Sequence, residues 1–222
     1  MIRGRIAALA LVPMLTLPAL AVVEQGNPFE PEILKFEEED AKNPPQKGGI
    51  VFVGSSSIRM WNSVAEDFPH LRIINRGFGG SQVSDSVHYA DRIVTKYEPK
   101  MVVFFAGTND LASGKQPATV LADYRAFVEK VRAKVPDVPI VYIAVTPAPS
   151  RWNNLENVKL TNTMIRGFSA AGKNLKFVDV YPRMLSESGG PRPELFLEDQ
   201  LHMKRAGYDI WIEALKPFLP KQ

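Results

Sequence analysis

Five short runs rich in Val, Ile, Leu and Phe recur along this chain, at residues 50–53, 71–74, 101–105, 140–145 and 176–180. Between and around them lie stretches with helical spacing, near 28–41, 59–67, 82–97, 117–134, 152–171 and 204–217. The runs do not alternate apolar with polar residues, which predicts strands buried on both faces. Buried strands interleaved with helices build a parallel sheet covered by helices on either side. The expected fold is α/β, a three-layer α/β/α sandwich with a parallel five-stranded sheet. At 222 residues and 45% hydrophobic, the chain can fill the core of one such domain.

The N-terminus reads as a secretion signal. Arg3 and Arg5 precede an apolar stretch over 6–20, and Ala19-Leu20-Ala21 is a small-residue cleavage site. The apolar stretch is about 15 residues, broken by Pro13 and Pro18, and falls short of the roughly 20 that span a bilayer. Cleavage after Ala21 is expected, leaving 201 residues. The segment holds two of the 27 basic residues and none of the 24 acidic ones, so 25 bases face 24 acids afterwards. That balance offers no concentrated basic stripe for nucleic acid. With no second long apolar segment, no stable membrane insertion is expected once the signal is removed, and the protein should be periplasmic or secreted. The expected organisation is a signal over 1–21, a helix and Pro/Gly linker over 22–49, and one α/β domain over 50–222. There is no cysteine, which excludes disulfides, a thiolate nucleophile and thiolate metal sites.

Asn27-Pro28-Phe29-Glu30 has the form of a capping box, and Phe29, Ile33 and Phe36 follow at helical spacing. The acidic run Glu37-Glu38-Glu39-Asp40 is expected to be a solvated helix face. Four successive positions point around a helix rather than converging on a metal.

In an open parallel sheet, ligands bind beyond the carboxyl ends of the strands. Four places there are chemically unusual. Gly54-Ser55-Ser56-Ser57 follows the first strand, where a hydroxyl can sit beside the free N–H groups of a helix start. Taken alone, the serines are more simply helix caps. Asn75-Arg76-Gly77-Phe78-Gly79-Gly80-Ser81 is a glycine-rich turn whose backbone could offer N–H donors to a ligand, or simply turn. Gly107-Thr108-Asn109-Asp110 places an amide donor after the third strand, as an oxyanion site needs, although Asn-Asp is also ordinary turn chemistry. Asp199-Gln200-Leu201-His202 puts an acid three residues before a histidine, close enough in a helical turn to orient the imidazole as a general base. Of the other histidines, His70 follows Pro69 and reads as a loop residue, and His88 lies in a helical stretch and reads as a surface or partly buried side chain. The GxSxG elbow is absent: Gly167-Phe168-Ser169-Ala170-Ala171 lacks its second glycine and lies within a helical pattern.

Together the four places resemble, in order and in placement, the sequence blocks of the SGNH (GDSL-type) hydrolases over about residues 50–210. The stretch from Phe52 to Trp61, with Gly54-Ser55-Ser56-Ser57-Ile58-Arg59-Met60-Trp61, is similar to a GSSSIRxW subset of that family. The preamble over 32–45 also resembles the helix and Pro-Pro linker of this subset. The resemblance implies an SGNH, flavodoxin-like fold and a serine esterase. The family's Gly-Asp-Ser is here Gly54-Ser55-Ser56, so the nucleophile falls on Ser56, flanked by Ser55 and Ser57. It also implies Asp199 and His202 as its acid and base, and an oxyanion hole of Ser56 N–H, Gly80 N–H and the Asn109 amide. Gly79 is the alternative if the register slips by one. Trp61 is read as a core anchor, Arg59 as a structural ion pair or a contact to substrate acids, and Asp110 as an orienting residue. No cofactor and no metal are implied. The substrate would be a small-molecule or polysaccharide ester: short-acyl, carbohydrate O-acetyl or lysophospholipid. An O-acyltransferase and a non-catalytic carbohydrate- or lipid-binding module are the alternatives on the same fold.

Overall fold

A computed structural model describes residues 27–221; the expected signal segment lies outside the described residues. Five strands, β1 (Ile50–Gly54), β2 (Ile73–Gly77), β3 (Met101–Phe105), β4 (Ile140–Ile143) and β5 (Leu175–Val178), form one sheet in the order β2-β1-β3-β4-β5. Every pairing is parallel. Helices α1 (Glu30–Lys42), α4 (Val83–Ile93), α6 (Pro117–Lys134) and α7 (Leu155–Ala171) contribute to the core on one face. The opposite face is covered by α2 (Ser56–Arg59), α3 (Val64–Asp67) and α8 (Arg205–Leu215). The short α5 (Thr108–Ala112) follows β3.

The absence of alternation in the strand runs has a direct cause. Val51 and Val53 of β1 enter the core beneath α4 and α6, whereas Ile50 and Phe52 enter the core beneath α8. Val102 and Phe104 divide from Val103 and Phe105 in the same way. Side chains still alternate with period two, but both faces are dry. Trp61 is the expected anchor. It is buried, packs on Trp211 and Tyr208 at centroid distances of 5.8 and 5.2 Å, and donates its indole N–H to Asp67 at 2.7 Å.

Several boundaries differ from those read in the sequence. The second strand begins at Ile73 rather than 71 and continues through Asn75, Arg76 and Gly77. It is an edge strand, so its polar residues hide it from an apolar-run reading. Arg76 leaves one face to bond Asp40 and Tyr97, while the Asn75 amide bonds the Ile58 carbonyl at 2.8 Å. The helix expected over 59–67 is two short ones, α2 and α3. The one expected over 82–97 ends at Ile93, with a 3-10 turn over Thr95–Tyr97.

The expected capping box at Asn27 is not made. Asn27 Oδ1 accepts the Phe29 N–H at 3.1 Å, α1 begins at Glu30, and the Glu30 carboxylate turns to Arg92 at 2.7 Å. The acidic run is also not wholly solvated. Glu37 pairs with Arg92, and Asp40 pairs with Arg76 and Lys96. Hydrogen bonds from Arg92 hold the carboxyls of Glu30 and Glu37 below their ordinary value. Burial pushes the Asp40 carboxyl up, but hydrogen bonds from Lys96 and Tyr97 and the charge of Arg76 outweigh it, and the net shift is downward. These pairs, with buried Ile33, fasten α1 to the body of the domain.

The strand order reverses about β1, which has β2 on one side and β3 on the other. A crevice opens there at the carboxyl ends, because the chain leaves the two central strands toward different layers. No described helix is long and apolar enough to cross a membrane.

Candidate active site

The segment after β1 turns sharply into α2. Gly54 has φ of +138°, and a Cβ on it would lie 1.9 Å from the Phe105 carbonyl oxygen, so only glycine lets β1 end this close to β3. Ser55 is the N-cap residue of α2, yet its side chain makes no capping bond. The three serines therefore differ in what they do. Ser55 is buried, the Ser57 carbonyl accepts the Tyr208 hydroxyl at 2.9 Å, and Ser56 Oγ lies 2.9 Å from His202 Nε2. Ser56 opens the helix, so its N–H has no intrahelical acceptor.

Asp199 and His202 meet in a turn rather than in the helical turn expected from their spacing. Gln200 takes φ of +55°, and α8 begins only at Arg205. Asp199 organises the turn itself. One carboxylate oxygen accepts the N–H groups of Leu201 and His202, both at 2.9 Å, and the other lies 2.6 Å from His202 Nδ1. The Leu197 N–H bonds the His202 carbonyl at 2.7 Å, and Phe196 bridges Met203, both of them buried. The hydrogen bond from His202 is the main reason the Asp199 carboxyl is lowered to about 2. An ionised Asp199 assigns the imidazole proton to Nδ1, which leaves Nε2 free to accept from the Ser56 hydroxyl.

Asn109 lies in the first turn of α5. Gly107, with φ of +119°, starts that helix directly from the end of β3. One Asn109 amide N–H donates to the Ser81 carbonyl at 3.0 Å. An amide nitrogen carries two donors, so one remains for a ligand. Asp110 is fully buried below. Its carboxylate accepts the Val83 N–H at 3.1 and 3.2 Å and pairs with Lys115 at 3.1 Å, an orienting arrangement. Burial pushes the Asp110 carboxyl up against the pull of Lys115.

In the glycine loop, the Gly79 N–H donates to Glu32 Oε2 at 3.1 Å. Gly80 has φ of +78° and its Cβ direction opens on empty space; its N–H has no acceptor among the described residues. Gly80, not Gly79, thus retains a donor for a ligand. A small cleft joins Ser56, Asn109, Phe105, Thr108, Thr146 and Leu201. The structure brings the hydroxyl of Ser56, the imidazole of His202 and the carboxylate of Asp199 into one line, with Asn109 beside Ser56 in the cleft. Among the described residues no cluster of three or more His, Asp or Glu side chains could hold a metal ion.

The model of the GDSL-like lipase/acylhydrolase family matches residues 52–210, spanning all of these positions except Glu32. The chain belongs to that family. No curated protein matches it in sequence. Among solved structures, a Streptococcus pneumonia protein named for platelet activating factor superposes with a TM-score of 0.75 at 21% identity, covering 86% of this chain and 92% of that one. A GDSL-like lipase from Bacteroides thetaiotaomicron gives 0.73 at 22% identity, covering 84% and 96%. An acetyl-xylooligosaccharide esterase from Geobacillus gives 0.63 at 17% identity, covering 80% and 97%. At these identities the likeness is one of fold, the SGNH α/β architecture.

Within this GDSL-like chain, Arg59 pairs with Glu32 at 3.7 Å and rests on Gly79. His70 contacts the Pro220 carbonyl, and His88 lies exposed beside Tyr89, both outside the cleft. The sequence reading missed Glu32 and the Thr146 wall. Glu32 belongs to a helix ahead of the matched blocks, and its partner lies 47 residues later, so no local motif marks it.

Proposed function

We propose that this GDSL-like protein is an exported serine esterase acting on short-acyl esters through Ser56, His202 and Asp199. The observation that carries the reading is the unbroken hydrogen-bonded line from Asp199 Oδ2 to His202 Nδ1, 2.6 Å, and from His202 Nε2 to Ser56 Oγ, 2.9 Å. In the proposed reaction His202 Nε2 takes the Ser56 proton as Oγ attacks the ester carbonyl. The N–H groups of Ser56 and Gly80 and the free Asn109 amide donor receive the oxyanion. The intermediate collapses, His202 protonates the departing alkoxide, and the acyl group stays on Oγ. Water, deprotonated by His202, then attacks the acyl-enzyme and releases the acid.

The smallness of the cleft, walled by Phe105, Thr108, Thr146 and Leu201, supports an acyl group of few carbons. A polysaccharide O-acetyl ester, whose bulk would remain outside the cleft, fits that shape. The N-terminal segment over 1–21 supports export, testable by sequencing the N-terminus of the protein recovered outside the cytoplasm, which should begin at Val22. The reaction is tested with p-nitrophenyl acetate and the purified chain lacking residues 1–21. Ser56→Ala should abolish turnover while leaving the circular dichroism spectrum unchanged. Turnover persisting in that variant would refute the assignment of Ser56.

A further inference from the structure

The backbone donors of the glycine loop can be accounted for one by one. Gly77 N–H goes to the Asn75 side chain at 2.9 Å, Phe78 N–H to the Gly54 carbonyl at 2.9 Å, and Gly79 N–H to Glu32 at 3.1 Å. Further on, Gln82 N–H goes to Asp85 and Val83 N–H to Asp110. Gly80 and Ser81 keep theirs without an acceptor among the described residues. The loop is therefore pinned on both flanks, and the last fixed point before the free donor at Gly80 is supplied by a side chain of α1.

A second side chain, itself paired with Glu32, lies against the same glycine. Arg59 lies three residues after Ser56, on α2, with its guanidinium 3.7 Å from Glu32. A Cβ on Gly79 would stand 2.6 Å from Arg59 Cζ, so the guanidinium rests directly against the glycine. Gly79 is thus in contact with both members of an ion pair, a carboxylate from α1 and a cation from the helix that carries Ser56.

We propose that Glu32 and Arg59 are positioning residues, which by engaging the Gly79 N–H and covering its face set the following peptide so that the Gly80 N–H is the donor presented to the oxyanion. The proposal rests on the esterase reading above. Glycine peptides rotate with little steric resistance, so a loop of two consecutive glycines needs an external acceptor to choose between its donors. Oxyanion stabilisation depends on donors fixed before the reaction, and a displacement of about 1 Å can cost roughly 100-fold in rate. It follows that α1, which precedes the residues matched by the family, is part of the working site.

The test uses the chain lacking residues 1–21, with Glu32→Ala and Glu32→Gln. Glu32→Ala should lower kcat on p-nitrophenyl acetate by about 10- to 100-fold, with KM within about twofold, because an oxyanion donor acts in the transition state. Glu32→Gln keeps an acceptor oxygen and should recover kcat to within about threefold of the parent. Residue-resolved amide exchange by NMR gives a readout independent of turnover. Gly79 should be protected in the parent and in Glu32→Gln, and should exchange faster in Glu32→Ala. Unchanged kcat in Glu32→Ala, an equal loss in both variants, or a loss confined to KM would overturn the proposal. Full turnover by Ser56→Ala would instead sink the esterase reading, and Gly79 exchange that ignores Glu32 would sink the clamp whatever the chemistry.

Discussion

Replacing Asn109 with alanine cuts two contacts at once, and the two should be separable. One amide N–H holds the Ser81 carbonyl at 3.0 Å, and Ser81 is fully buried. Leaving a buried acceptor without that donor costs about 1–3 kcal/mol of stability. The other N–H is the proposed oxyanion donor, whose loss typically lowers kcat by about 100- to 1,000-fold, or roughly 2.7–4 kcal/mol. The first effect reads out in urea unfolding, the second in steady-state kinetics on p-nitrophenyl acetate. Because the oxyanion forms only in the transition state, the loss should fall on kcat with KM little changed. Asn109→Asp keeps the side-chain size but turns both donors into acceptors and sets a carboxylate against the Ser81 carbonyl and the developing negative charge. It should be at least as damaging as alanine. A kcat within about threefold of the parent in Asn109→Ala, alongside the expected drop in stability, would refute the oxyanion role and leave Asn109 as a loop tie.

Two further outcomes follow. Across p-nitrophenyl esters of increasing acyl length, kcat/KM should stop rising beyond about two to four carbons, since each methylene held outside the cleft forgoes about 0.8 kcal/mol of burial; a continued rise to about eight carbons or beyond would contradict the short-acyl assignment. The carboxyls of Glu30, Glu37 and Asp40 are lowered on folding by the pairs that dock α1, so their contribution to stability is complete above the ordinary values of 4.5 and 3.8 and is lost as the pH falls through the depressed folded values. Urea unfolding at a series of pH values should therefore show stability falling below about pH 4.5, with a shallower fall in Arg92→Met; the same fall in parent and variant would remove the Arg92 pairs as a cause.

The sheet was legible in the sequence because burial on both faces is a local property. A strand such as Val102-Val103-Phe104-Phe105 must be apolar throughout wherever it sits in the middle of three layers. Polar edge strands escape that rule, so the apolar run at 71–74 starts two residues ahead of β2, and Asn75 to Gly77 carry no local strand signal. The acidic face of α1 departs from a solvated face for a related reason. Whether Asp40 meets water or Arg76 depends on a strand that forms 36 residues later.

The same division runs through the site. By itself the sequence determined which segments carry chemistry: a serine run, a glycine loop, an amide and an Asp-x-x-His pair, each at the end of a strand or near the C-terminus. Only the tertiary structure decided which serine meets the histidine, across 146 residues, and which glycine keeps its N–H free, because Glu32 occupies the other. Residue type limits what a group can donate or accept. Which partner it finds depends on the register of β1 against β2 and β3, and on the docking of α1, and those are fixed by contacts distant in the chain.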